Sequence, residues 1–213
     1  MSKLRLSITM SLDGYAAGPD QNLENPLGSG GMELHQWIFP LKEFQDMHGG
    51  EGGETNASSA VVQERWVNIG ATIMGRNMFG PIRGPWPDES WRGWWGENPP
   101  YHHPVFVLTR HPRESLVMEG GTSFHFVGDI ETALTQARDA AQGRDVSLAG
   151  GASVVNQYLS AGLVDELDIS VAPVILGSGE RLFEGVDRDA LKLRQLRAVD
   201  APGVTHLKYE VLR

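Results

Sequence analysis

The sequence predicts an α/β protein: a mixed, mostly parallel sheet covered by helices, with an antiparallel strand pair at the C-terminal end. Three observations predict it. Between residues 105 and 171, short buried-strand runs alternate with runs of helical period, the pattern of strand–helix–strand units. Leu191 to Ala198 and Val204 to Leu212 then alternate polar and apolar, as adjacent antiparallel strands do. The 213 residues are 40% hydrophobic and 21% charged, an ordinary globular mix. No internal repeat or linker divides the chain, so one domain over 1–213 is expected.

The elements follow in order. Lys3 to Met10 alternates polar and apolar and reads as a strand ended by Asp13-Gly14. Residues 18–31 hold Gly18-Pro19 and Gly28-Ser29-Gly30-Gly31, a loop. Glu33 to Met47 places Leu34, Trp37, Ile38, Leu41 and Phe44 at helical spacing, interrupted by Pro40. Ser58 to Ile69 predicts a helix with Val61, Val62, Trp66 and Ile69 inward, and Ala71 to Met74 a buried strand stopped at Gly75. Residues 80–104 differ in character. They hold Pro81, Pro85, Pro87, Pro99, Pro100 and Pro104 with Trp86, Trp91, Trp94 and Trp95. This predicts a long irregular excursion whose rings need something to pack on. It either walls a pocket or covers a sheet edge or subunit contact. Beyond it, strands are expected at Val105–Leu108, Ser123–Val127, Val146–Ala149 and Leu163–Val171. Helices are expected at Ile130–Ala141 and Ser153–Ala161, the second closed by Gly162.

Composition excludes several classes. Eighteen Lys and Arg against 27 Asp and Glu leave a formal net charge of −9. A broad nucleic-acid footprint and an anionic membrane surface both need a cationic surplus, so neither partner is expected. There is no Cys, which removes disulfides, Cys-ligated zinc and thiol nucleophiles. No apolar run is long enough to span a bilayer, and the N-terminal run lacks a signal-peptide core. A cytoplasmic protein with a small-molecule ligand is the expectation.

The chemistry points to strand ends. Ser147-Leu148-Ala149-Gly150-Gly151-Ala152-Ser153 reads as a buried strand ending in two glycines where a helix begins. Free amides at a helix N-terminus attract anions, and glycine lets a phosphate reach the backbone; a plain strand-to-helix turn would use the same residues. Ile73-Met74-Gly75-Arg76-Asn77 and Val107-Leu108-Thr109-Arg110 each place an Arg just after a strand. A guanidinium suits bidentate phosphate recognition, and ligands of α/β sheets collect at the carboxyl ends of strands. The spacing is not G-x-G-x-x-G, so a standard Rossmann site is not indicated. His102-His103 point to opposite sides of an extended chain without a helpful third ligand, and no metal is expected.

Several motifs occur together in order: Ser11-Leu12-Asp13-Gly14, Ile73 to Arg76, Val107 to Arg110, Ala149 to Ser153, Gly162 to Leu167, and Ala172 to Gly179 ending in Leu182-Phe183. The set resembles the dihydrofolate reductase-like superfamily. It is most similar to the branch related to the reductase (C-terminal) domain of the bifunctional riboflavin-biosynthesis deaminase–reductase. The resemblance spans nearly the whole chain. It implies a three-layer α/β/α fold and an NADPH-dependent reductase acting on a C=N or C=O group of a small planar heterocycle or imine. It also implies a homodimer. By resemblance, Gly75, Arg76, Asn77, Thr109 and Arg110 hold phosphates, Gly150, Gly151, Ala152, Ser153 and Val154 hold the pyrophosphate, and the segment Asp13 to Ala17, with Ala16 and Ala17 as cofactor contacts, lies by the nicotinamide.

The sequence also departs from these relatives. Ala149 stands where riboflavin reductases carry Glu, Lys42 where folate reductases carry an acid, and Met78 where folate-type enzymes carry Thr. Glu43 would face about 100° away from the Lys42 position on a helix. Without Cys, the deaminase chemistry of the riboflavin enzyme is excluded. Asp13 and Glu54 are the candidate catalytic acids; the alternatives are a turn residue and a helix-start acid. The alternative function is an NADP(H)-binding module without turnover, a sensor or scaffold.

Overall fold

The computed structural model describes residues 2–80, 84–187, 189 and 191–212; the others, Pro81 of the excursion among them, lie outside the described residues. The chain begins with β1 (Leu4–Ser11), β2 (Tyr15–Ala17), α1 (Lys42–Met47), α2 (Ala57–Trp66), β3 (Ile69–Gly75) and α3 (Arg76–Phe79). It continues with β4 (Pro104–Leu108), β5 (Leu116–Val117), β6 (Ser123–Val127), α4 (Ile130–Ala141), β7 (Asp145–Gly150) and α5 (Ala152–Ser160). It ends with β8 (Glu166–Ala172), β9 (Glu180–Arg181), β10 (Lys192–Ala201) and β11 (Val204–Leu212). Nine strands form one sheet in the order β10-β11-β8-β1-β7-β3-β4-β6-β5, while β2 and β9 form a separate ribbon. Strands β8 to β6 of that order run parallel to their neighbours; β11 is antiparallel to β8, β10 to β11, and β5 to β6. The expected α/β class, the mostly parallel sheet and the antiparallel C-terminal pair are all present.

The alternation of β1 sorts two faces. Leu4 and Leu6, with Ile73, Leu148 and Leu167 beside them, are buried on one face under Ala133, Leu134 and Ala137 of α4 and Val155, Tyr158 and Leu159 of α5. Each such fully buried Leu or Ile stabilises the fold by roughly 1.5–3 kcal/mol. The Asp129 side chain starts α4 by accepting from the Thr132 amide at 2.8 Å. Arg5, Ser7 and Thr9 face the other way, in register with Glu166, Asp168 and Ser170 of β8. Helix α2 covers that polar face, with Val62 packed beside Trp37, Leu41 and Val204.

Several elements differ from the expectation. The Glu33–Met47 helix is a 3-10 turn at Gly31–His35, then turns, then α1 alone. Pro40, which has no amide to donate, separates the two pieces. Helix α2 ends at Trp66; Val67 is extended, Asn68 has φ 62°, and Ile69 opens β3 rather than facing inward on the helix. Asn tolerates that left-handed conformation, which stops the helix there. The short α3, β2, β5 and β9 have too few residues to show a period in sequence.

Candidate functional site

A cleft of about 1300 Å³ opens at the carboxyl ends of β3, β4 and β7 and runs across the polar face of β1. Its two ends differ chemically.

One end gathers two arginines and a helix N-terminus. Strand β3 ends at Gly75, and Arg76 follows at once. The Arg76 guanidinium lies 3.8 Å over the Trp86 ring and donates to the Gly84 carbonyl. Trp86 is itself fixed, because its indole N–H donates to the His111 carbonyl at 2.7 Å and its ring meets Phe79 and Phe126 edge-on. Thr109 and Arg110 follow β4 on the same wall. Helix α5 supplies the third feature. Its N-cap, Gly151, offers no side-chain cap, and its first backbone bonds run from Val154 and Val155 to the Gly151 carbonyl, both at 3.1 Å. The amides of Ala152 and Ser153 precede those bonds and, among the described residues, have no backbone acceptor. Gly150 has φ 113°, which disfavours any side chain, and a Cβ on Gly151 would meet nothing within 4 Å. At Gly75 a Cβ would come within 2.8 Å of Val154 Cγ2, so the glycine lets α5 sit against the end of β3.

The other end is aromatic. Trp37, Trp66, Trp94, Trp95, Tyr101 and Phe44 line it. Tyr101 touches Trp66 and Trp95 edge-on, with ring centroids 6.3 and 5.1 Å apart. Below these rings, Arg65 of α2 donates from Nη2 to Asp168 at 2.8 Å and to Ser170 Oγ at 2.6 Å, with its guanidinium 5.6 Å from the centroid of Trp37. His206 joins Ser170 at 2.8 Å to Ser58 at 2.9 Å, and burial pushes its imidazole down to about 4. Burial likewise lowers His35, so both rings are neutral near pH 7. Ser7, Thr9 and Ser147 form the floor.

Residues 2–206 match the RibD C-terminal domain model. The chain belongs to that family. Among relatives in this family's neighbourhood, the uncharacterized protein YwjB of Bacillus subtilis is 36% identical over 197 residues, 90% of this chain and 88% of YwjB. The uncharacterized protein YyaP of the same organism is 41% identical over 68 residues, 32% of this chain; the match spans only 36% of YyaP. Of solved structures, a candidate riboflavin biosynthesis protein from Shewanella sp. PV-4 shares the fold over all of both chains, at TM-score 0.62 and 20% identity. RibD of Acinetobacter baumannii does so over all of this chain and 58% of its own, at TM-score 0.57 and 18% identity. A pyrimidine reductase-like protein of Corynebacterium diphtheriae has TM-score 0.56 and 16% identity, covering 92% of that chain.

In this RibD C-terminal domain, the residues expected to hold a cofactor are brought together. Ala16, Ala17, Gly75, Arg76, Asn77, Thr109, Arg110, Gly151, Ala152, Ser153 and Val154 all line the one cleft; Gly150 sits one residue behind its edge. The two candidate acids are elsewhere. Asp13 accepts from the amides of Leu176 at 3.1 Å and Gly177 at 2.7 Å. The Ser11 hydroxyl and these amides hold its carboxyl down to about 2. Glu54 is exposed, and its backbone pairs with Pro40 and Lys42 beside Leu41. Neither lines the cleft. In the Trp-rich excursion, Trp94 and Trp95 wall the cleft, and Trp86, Trp91 and Trp95 pack on the cluster around Phe79 and Phe124. Among the described residues no group of three His, Asp or Glu side chains has metal-site geometry.

Sequence reasoning missed Arg65, Asp168 and the serines of the floor. The available signal was an Arg between Val62 and Trp66 on a helix face otherwise expected to be apolar.

Proposed function

We propose that the protein is a reductase that uses NADPH to reduce a C=N or C=O group of a small planar molecule. The observation that carries this reading is the convergence of Arg76, Arg110 and the uncapped N-terminus of α5 on one cleft, at the carboxyl ends of parallel strands. The residues fit a polyphosphate-bearing dinucleotide: two guanidinium groups for phosphate oxygens, and a glycine cradle with no atom within 4 Å of the absent Gly151 Cβ. Membership of the RibD C-terminal domain family supports the same chemistry. When bound, the reduced nicotinamide supplies the hydride. The chain does the rest. The Gly150-Gly151 turn and the amides of Ala152 and Ser153 hold the pyrophosphate, and Arg76 with Arg110 selects the 2′-phosphate. The segment at Ala16 and Ala17 borders the ring. The aromatic end holds the acceptor and keeps water from it. The proton comes from solvent, since Asp13 and Glu54 lie off the cleft.

Titrating the protein with NADPH and NADH, followed by Trp fluorescence, tests this. NADPH is expected to bind more tightly, and Arg76→Ala and Arg110→Ala each to weaken it roughly tenfold or more. Failure of either cofactor to bind near millimolar concentration overturns the reading. Binding without turnover is favoured because, among the described residues, no carboxylate lines the aromatic end, Asp168 below it being paired to Arg65; NADPH oxidation across a panel of pterins, pyrimidines and imines decides against it.

A further inference from the structure

Resting on that cofactor reading, we propose that the acceptor is an uncharged, flat ring system bearing a carbonyl or imine and carrying no phosphate. The walls set the shape. Trp66, Trp95 and Tyr101 meet edge to face in a continuous chain, a surface that takes planar apolar rings.

The charge distribution sets the rest. Among the described lining residues the cations are Arg65, Arg76 and Arg110. Arg76 follows β3 and Arg110 follows β4, at the far end, with the N-terminus of α5. Of these three only Arg65 lies at the aromatic end, where Asp168 holds it at 2.8 Å; the His48 ring there is stacked on Phe44, with Nδ1 against the Phe44 carbonyl at 2.8 Å. A phosphate entering there would lose its water without gaining an unpaired cation, a costly exchange. A cationic ring would meet no carboxylate: Glu180, the one carboxylate among the described lining residues, lies on β9 paired to Ala17. Trp37, 5% exposed, adds a further flat ring to this end.

The test uses one ring with two substituents. 2-Acetylnaphthalene and 2-naphthyl phosphate are titrated calorimetrically into the full-length protein, with NADP⁺ bound and without it. The neutral ketone is expected to bind at least tenfold more tightly, and Trp66→Ala to weaken it about fivefold while NADP⁺ affinity stays within twofold. Asp168→Asn is expected to raise binding of the phosphate several-fold, because it leaves the Arg65 charge uncompensated. The proposal is overturned if the phosphate binds as well as the ketone, or if neither binds to protein that takes NADP⁺ normally. Loss of NADP⁺ binding in the parallel titration overturns the cofactor reading instead, and the two probes are still ranked on the cofactor-free protein.

Discussion

Arg76 shows how a single side chain depends on its supports. Its guanidinium lies 3.8 Å over the Trp86 ring, and Trp86 is anchored to the His111 carbonyl. A guanidinium over an indole is stabilised by about 1 kcal/mol when partly desolvated. Trp86→Ala is therefore expected to weaken NADPH roughly fivefold and to move NADH less, as read by the same titrations. Asp13 illustrates the opposite case. Both its oxygens are engaged by the Ser11 hydroxyl and the amides of Leu176 and Gly177. It ties the start of the chain to the segment before β9. Asp13→Ala is expected to lower the thermal unfolding midpoint while NADPH affinity stays within about twofold; a larger loss of affinity would return it to the site. An Asp-Gly pair reads the same in sequence whether its carboxylate faces a ligand or a backbone 160 residues away, so this distinction was not legible there.

At the scale of elements, the turn from β7 into α5 carries the sharpest contrast. Two adjacent glycines have different reasons. Gly150 has a φ of 113°, which disfavours a side chain, whereas Gly151 has a φ of −73° and open space where a Cβ would stand. Gly150→Ala is expected to destabilise the fold by about 1 kcal/mol or more, measured by urea unfolding. Gly151→Ala is expected to leave the unfolding midpoint nearly unchanged and to weaken NADPH roughly tenfold, because its methyl enters the proposed phosphate cradle. Equal effects of the two on stability and on affinity would remove that assignment. Strand β1 teaches a related lesson. Its Arg5, Ser7 and Thr9 face is polar, yet α2 covers it and the cleft uses Ser7 and Thr9 as a floor. Periodicity reports which residues share a face, not what lies across from it.

For the whole molecule, acid sensitivity follows from two enclosed imidazoles. Burial holds His103, which meets Thr72 at 2.8 Å, and His206 each down to about 4, from an ordinary value of 6.5. Both folded values lie below the unfolded one, so as pH falls the unfolded chain takes up protons first. Stability is complete above pH 6.5 and declines as pH drops from there towards 4. The urea midpoint at pH 4.5 is expected to fall below that at pH 7.5. The Asp13 contribution is present above 3.8 and lost only towards 2, below that window.

The α/β class, the terminal strand pair, helices α4 and α5 and the glycine- and arginine-bearing strand ends were determined by the sequence itself. Each is encoded by local period, a glycine stop or an Arg placed next to a strand, and local chemistry survives in any fold that keeps the strands. The short α1, the burial of Trp37 and the pairing of Arg65 with Asp168 were decided only by tertiary structure. They depend on pairs such as residues 65 and 168, brought together when α2 lies over β8, and long-range contact leaves no period in the chain.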